Sequence, residues 1–197
     1  MKLLVVIPTI TGRELSLEQT KDAYRNTAPA CWIQVVKNAH NWPTACNIGT
    51  DIARGLEVDA IHWGADDLEP LPGWYESCLA SLLRDRIPAP EAVFNHRPPE
   101  GGGAANDNDG APGEAAEFTR VPAATMDMAN AIGPWPDIDY YADCWFSIKA
   151  RYLGTPTVVA GGYSFVHHWH PTGRKDSNAN MQRSEKKFRR AVSAIYR

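Results

Sequence analysis

Two carboxylates, Asp66 and Asp67, stand back to back in the stretch "HWGADDLEP", with Glu69 two positions further on. They close an apolar run that contains Val58, Ala60, Ile61 and Trp63. Adjacent like charges at the end of a buried strand need compensation, because desolvating both is costly. Three arrangements supply it. One is a solvated loop in which an Asp caps the next helix. Another is an acid/base carboxylate pair of the glycoside-hydrolysing kind. The third is a hard divalent cation held on carboxylate oxygens and itself gripping a phosphate. The third suits a strand end best, since Mg2+ and Mn2+ take one or two carboxylates plus substrate phosphate oxygens.

A second cluster, "HHWH", holds His167, His168 and His170. In a strand His168 and His170 share a face and His167 points the other way. A three-histidine zinc site is a rival, but no Cys or acid lies at zinc spacing. Arg174 and Lys175 follow. Such cations either neutralise a departing diphosphate or are ordinary surface charge.

The elements that must position these groups are legible in outline. Residues 3–7, "LLVVI", form an apolar β-branched run stopped by Pro8, the pattern of a strand covered on both faces. The loop "TITGR" then leads into a helix over 15–26. A second strand is expected over 32–36, and the loop "NAHNWP" after it opens a helix over 44–56, with Thr44 as its expected N-cap. The third strand, 59–64, carries the acid pair at its end. Pro72-Gly73 starts a helix with Trp74, Cys78, Leu79, Leu82 and Leu83 on one face. Strand and helix alternate, which predicts an α/β fold with a mostly parallel sheet. Ligands of such sheets bind beyond the carboxyl ends of the strands. That places the loops 8–13, 38–43 and 66–70 around one crevice.

The second half reads differently. Residues 98–117 are rich in Gly, Ala, Asn and Pro with five acids and no base, the composition of a mobile surface loop and a candidate acceptor lid. A strand is expected over 118–128, a helix over 140–153, short strands over 157–160 and 163–166, and a basic amphipathic helix from about residue 178. Met181, Phe188, Val192 and Ile195 line its apolar side.

The 197 residues suffice for one domain with a full core, and 44% hydrophobic with 22% charged residues is ordinary globular composition. Net charge is −3, which argues against a dedicated nucleic-acid binder. Four scattered cysteines without a C-x-x-C read as reduced thiols of a cytoplasmic protein. The N-terminal apolar run is too short for a signal peptide or a membrane span, so no stable membrane insertion is expected.

"VVIPTITGR" followed by "NWPTACNIGTDIARGLEVDAIHWGADDLEPLPGW" resembles the nucleotide-sugar-binding half of GT-A glycosyltransferases, close to the family 2 type. The resemblance implies a GT-A (Rossmann-like) three-layer sandwich. It maps Pro8 and Thr9 to the nucleobase, Asn38 to the base or ribose, Asn47 and Gly49 to the helix start, and Asp67 to the metal-binding end of the D-x-D motif. Ala65 stands where that motif has its first acid, so Asp66 is expected to take over part of its role. Arg13 and Arg174 join the expected donor contacts. The segment "GPWPDIDYYADCWFSIKARYLG" resembles the acceptor side of the same family. It implies Asp143 as the general base of an inverting transfer, with Asp139 and Asp137 behind it. The family also implies Mn2+ or Mg2+ on Asp67, with His168 or His170 as a late ligand.

The implied layout is a single GT-A-like domain over 1–197. A nucleotide-sugar half spans 1–75, an acceptor half 76–177, and a basic helix 178–197. The partner is a nucleotide-sugar donor; the acceptor is left open between a glycan, a protein and a hydroxylated DNA base. Two rivals stand beside this reading. A nucleotidyltransferase should carry a Gly-rich basic loop after the first strand, and "PTITGRE" has one Gly and one Arg. A degenerate GT-A module would bind nucleotide or glycan without turnover.

Overall fold

A computed structural model describes residues 1–96, 111–168 and 178–197, with side chains described except at 92–96 and 178–181. His170, Arg174, Lys175 and the 98–110 part of the acidic segment lie outside the described residues.

The chain begins with β1 (Leu3–Thr9), whose residues are almost all buried, as the uninterrupted apolar run requires. Then come α1 (Glu14–Thr27), β2 (Trp32–Lys37), α2 (Trp42–Gly55) and β3 (Ala60–Trp63). β1 pairs in parallel with both β2 and β3. The third strand leads into β4 (Leu68–Pro70), α3 (Trp74–Leu82), β5 (Ile87–His96), β6 (Ala123–Thr125), α4 (Met126–Ile132), α5 (Ala142–Tyr152), β7 (Thr157–His168) and α6 (Asn178–Ile195). β6 closes the first sheet antiparallel to β3, giving the order β2-β1-β3-β6. A smaller sheet has the order β4-β7-β5, antiparallel at β4 and parallel at β5. The fold is mixed α/β with a mostly parallel main sheet, as expected.

Several elements depart from the sequence reading. The cap of α2 is Asn41, whose side-chain oxygen accepts from the Thr44 amide at 2.9 Å, so Thr44 is the donor to the cap and not the cap. Leu83 lies off the buried face of α3 and is exposed. The expected strand over 118–128 is a three-residue β6 followed at once by α4, whose N-cap Thr125 accepts from the Met128 amide. The two short strands after residue 156 are one strand, β7, bent at Gly161 and Gly162. β5 carries Pro88 and Pro90, which read against a strand. Both share one parity on an edge strand, so their missing N–H groups fall on the side away from β7.

The core joins β1 and β3 to α2 and α3 and holds one polar group of note. His62 is fully buried. Tyr163 donates its hydroxyl to the Val121 carbonyl and lies 3.1 Å from Nδ1 of His62, while Tyr24 Oη lies 2.8 Å from Nε2. Because the Tyr163 proton is committed, Nδ1 carries the imidazole hydrogen and Nε2 accepts from Tyr24. Burial keeps this imidazole neutral, its pKa pushed down to about 3. α6 docks on α5, with Phe188 against Tyr141 at 5.5 Å between ring centroids.

Candidate functional site

The carboxyl ends of β1, β2 and β3 open onto a cavity of about 300 Å3 walled by Pro8, Thr9, Arg13, Trp42, Asp66 and Asp67 among others. Asp66 is 2% exposed. Its Oδ2 accepts from Thr9 Oγ1 at 2.6 Å and its Oδ1 from Arg13 Nη1 at 2.6 Å. The Ser16 hydroxyl holds its backbone carbonyl. Arg13 reaches on with Nη2 to Asp67 Oδ2 at 3.1 Å, so one guanidinium ties the two carboxylates together. His167 Nε2 lies 3.4 Å from the same Asp67 oxygen. Burial pushes both carboxyls up. At Asp66 it wins over Thr9 and Arg13, and the pKa is raised. At Asp67 the pull of His167 and Arg13 outweighs it, and the pKa is lowered.

The late histidines divide differently from the expectation. β4 and β7 pair with Leu68 opposite His167, and continuing that register puts His168 on the face of Glu69. His168 Nε2 meets Glu69 Oε2 at 2.7 Å, while His167 is the histidine at Asp67. The strand register does not by itself bring His167 there: it pairs His167 with Leu68 and runs on to His168 opposite Asp67, whose carbonyl accepts from the His168 amide at 2.8 Å. Asp67 stands in the turn before β4, so the strand's alternation does not fix its side chain, and its carboxylate meets His167.

Asn38 and Asn47 do not wall the cavity. Asn38 adopts the left-handed conformation (φ 54°) and braces the loop after β1, its Oδ1 accepting from the Thr11 amide at 2.9 Å. Asn47 makes two bonds with the Trp135 backbone, accepting from its amide at 2.8 Å and donating to its carbonyl at 3.0 Å. It is a clamp between α2 and the loop before α5. Gly49 has a packing reason: a Cβ there would overlap the γ-carbons of Val6.

Asp143 sits in the first turn of α5 and lines a second cavity of about 510 Å3 with Trp42, Phe118, Arg120, Asp139, Tyr140 and Tyr141. Burial pushes its carboxyl up, against the Cys144 amide at 2.9 Å and the charge of Arg120. Trp42 walls both cavities. Its indole N–H donates to the Gly64 carbonyl at 2.9 Å and its ring meets Trp135 edge-on at 4.9 Å. Sequence reading missed Trp42 because its own turn, "NWP", reads only as a helix start. The Asn41 side-chain amide donates to Asp137 Oδ1 at 2.6 Å and to Asp139 Oδ1 at 3.4 Å, and Asp139 also lines the second cavity.

A divalent cation would need Asp67 with at least one late histidine. Among the described residues the donor set does not fit as it stands. Both oxygens of Asp66 are engaged, Ala65 offers no side-chain oxygen, His168 is turned to Glu69, and a guanidinium occupies the Asp67 oxygen nearest His167. Among the described residues no cluster of three or more His, Cys, Asp or Glu gathers.

Comparison with protein-family models and with curated proteins gives no match. Solved structures do match. S. aureus TarS 1-349 in complex with UDP aligns with a TM-score of 0.68 at 12% identity, covering 99% of this chain and 65% of that one. GalNAc-T7 with UDP, GalNAc and Mn2+ aligns with a TM-score of 0.63 at 15% identity, covering 98% of this chain and 48% of that one. A197 from STIV aligns with a TM-score of 0.56 at 10% identity, covering 85% of this chain and 82% of that one. The chain thus has a GT-A glycosyltransferase fold. It spans about two thirds of TarS 1-349 and about half of GalNAc-T7. Among the described residues no helix is long and apolar enough to cross a membrane.

Proposed function

We propose that the chain is a glycosyltransferase that moves a sugar from a nucleotide-sugar donor to an acceptor hydroxyl with inversion. One observation carries the reading: a cavity walled by Thr9, Arg13, Asp66 and Asp67 and a second cavity lined by Asp143 have Trp42 as a common wall. Donor and acceptor have to meet at such a junction for direct transfer. The UDP and UDP-GlcNAc complexes of TarS support a nucleotide-sugar donor in the first cavity. In this reading residues 1–75 hold the donor and 76–177 the acceptor.

Each residue then has a task. Pro8 and Thr9 wall the donor's nucleotide side, and Arg13 stands where its diphosphate would lie. Asp143 takes the proton of the acceptor hydroxyl as that oxygen attacks C1 and the C1–O bond to the diphosphate breaks. Its raised pKa suits a base that must receive a proton near neutral pH. Arg13 stabilises the charge that develops on the leaving diphosphate.

A second reading adds Mn2+ or Mg2+, favoured by the Mn2+ in the GalNAc-T7 structure. It requires Arg13 to release Asp67, so that Asp67 and His167 together become available.

The test is a thermal-shift panel of UDP-, GDP-, dTDP- and CMP-sugars, followed by assays for transfer and for donor hydrolysis. A donor at ~100 times its Kd adds ~2.7 kcal/mol, or roughly 5–11 °C. A shift with turnover supports the proposal. A shift without turnover supports a binding module, and no shift with any nucleotide removes the reading.

A further inference from the structure

We infer that Arg13 is the built-in cation of this site and that it holds the donor diphosphate without a divalent metal. The inference rests on the nucleotide-sugar reading above and concerns how that site supplies its positive charge.

Asp66, a carboxylate 2% exposed with Thr9 on one oxygen and Arg13 on the other, offers almost no surface to a ligand. What it does is fix a guanidinium. Withdrawing Arg13 would leave a buried carboxylate without its counter-charge, the expensive way to break such a pair. Arg13 is therefore anchored, and its own side chain is 18% exposed at the wall of the donor cavity.

Asp67 is held by the same guanidinium. Its Oδ2 is 3.1 Å from Arg13 Nη2. A divalent ion on that oxygen would stand beside a like charge at contact distance. Ala65, also on the cavity wall, offers a methyl group and no oxygen from its side chain. Among the described residues the two carboxylates take two of the five N–H donors of this guanidinium. The fork geometry of those that remain matches pairs of phosphate oxygens, which a lysine ammonium would not. Thr9, Asp66, Arg13 and Asp67 thus form one chain of hydrogen bonds that presents a fixed positive group to the donor cavity.

The experiment measures UDP affinity calorimetrically in EDTA and in Mn2+, for wild type, Arg13→Gln and Arg13→Lys, with melting curves to confirm folding. Expected for wild type is a Kd in EDTA within about threefold of that in Mn2+. Arg13→Gln should weaken UDP at least about tenfold in EDTA, and Arg13→Lys should fall between, keeping charge without the fork. Wild type that binds UDP only with Mn2+ overturns the inference and leaves the nucleotide reading intact. So does Arg13→Gln binding in EDTA as wild type does. Wild type that binds UDP in neither buffer overturns both. Should Arg13→Gln not fold, the wild-type comparison of the two buffers decides alone.

Discussion

The indole N–H of Trp42 donates to the backbone carbonyl of Gly64 at 2.9 Å, and this bond fixes the ring that the two cavities share. Gly64 sits at the end of β3, two residues before Asp66, so one contact sets the Trp42 ring relative to the acid pair. Trp42→Phe keeps the aromatic wall and removes the donor. It should cost about 1 kcal/mol of stability, read from urea melts, with transfer reduced but present. Trp42→Ala should cost transfer more than tenfold, because a misplaced acceptor loses the near-attack geometry.

Asp143→Asn should lower the transfer rate by about 10²–10⁴ while leaving the UDP-dependent thermal shift unchanged, since the residue lines the second cavity and not the one walled by Arg13 and Asp67. A base works deprotonated, so rate rises with pH through its pKa. Burial raises that pKa, so the acid limb of kcat/KM in wild type should lie above the ordinary carboxylate range. Unimpaired Asp143→Asn would remove Asp143 as base, as would a retained anomer in the product.

Asn47→Ala separates a ligand contact from a structural clamp. It orphans the amide and carbonyl of Trp135, at a cost of about 1–3 kcal/mol. UDP affinity should stay within roughly twofold once the protein is folded. A large loss of affinity at unchanged stability would return Asn47 to the donor site.

Gly49→Ala should destabilise by about 1–3 kcal/mol, because the added methyl meets Val6 on the central strand. Chemical denaturation measures this directly. A neutral result would mean that α2 lifts from β1 at little cost.

His62 predicts an acid-side loss of stability. The unfolded imidazole takes up its proton near pH 6.5, whereas the folded one resists until about pH 3. Between those values the unfolded state binds more protons, so stability falls as pH falls, by ~1.4 kcal/mol per pH unit for this group. Above about pH 6.5 the contribution is fully present and flat. Urea melts from pH 7 to pH 4 on wild type and His62→Gln should differ in slope by about one proton.

Much of this protein was legible without coordinates. β1 and β3 announce themselves because a strand covered on both faces has to be apolar throughout. α2 shows its helical period, and the alternation of elements dictates a largely parallel sheet with its crevice at the carboxyl ends. That logic brings Thr9, Arg13, Asp66 and Asp67 to one cavity wall from two separate segments. Other features were hidden for definable reasons. β5 was masked by its prolines, which only an edge position tolerates. The histidine at the acid pair, His167, is met by Asp67 from the turn before β4, where no strand period applies. Residue types and their spacing thus determined which groups could do chemistry and on which edge of the sheet they stand. Which partner each group holds was decided by tertiary structure. Arg13 bridging two carboxylates and Trp42 bridging two cavities are contacts between distant segments, and the sequence records the residues but not the distance between them.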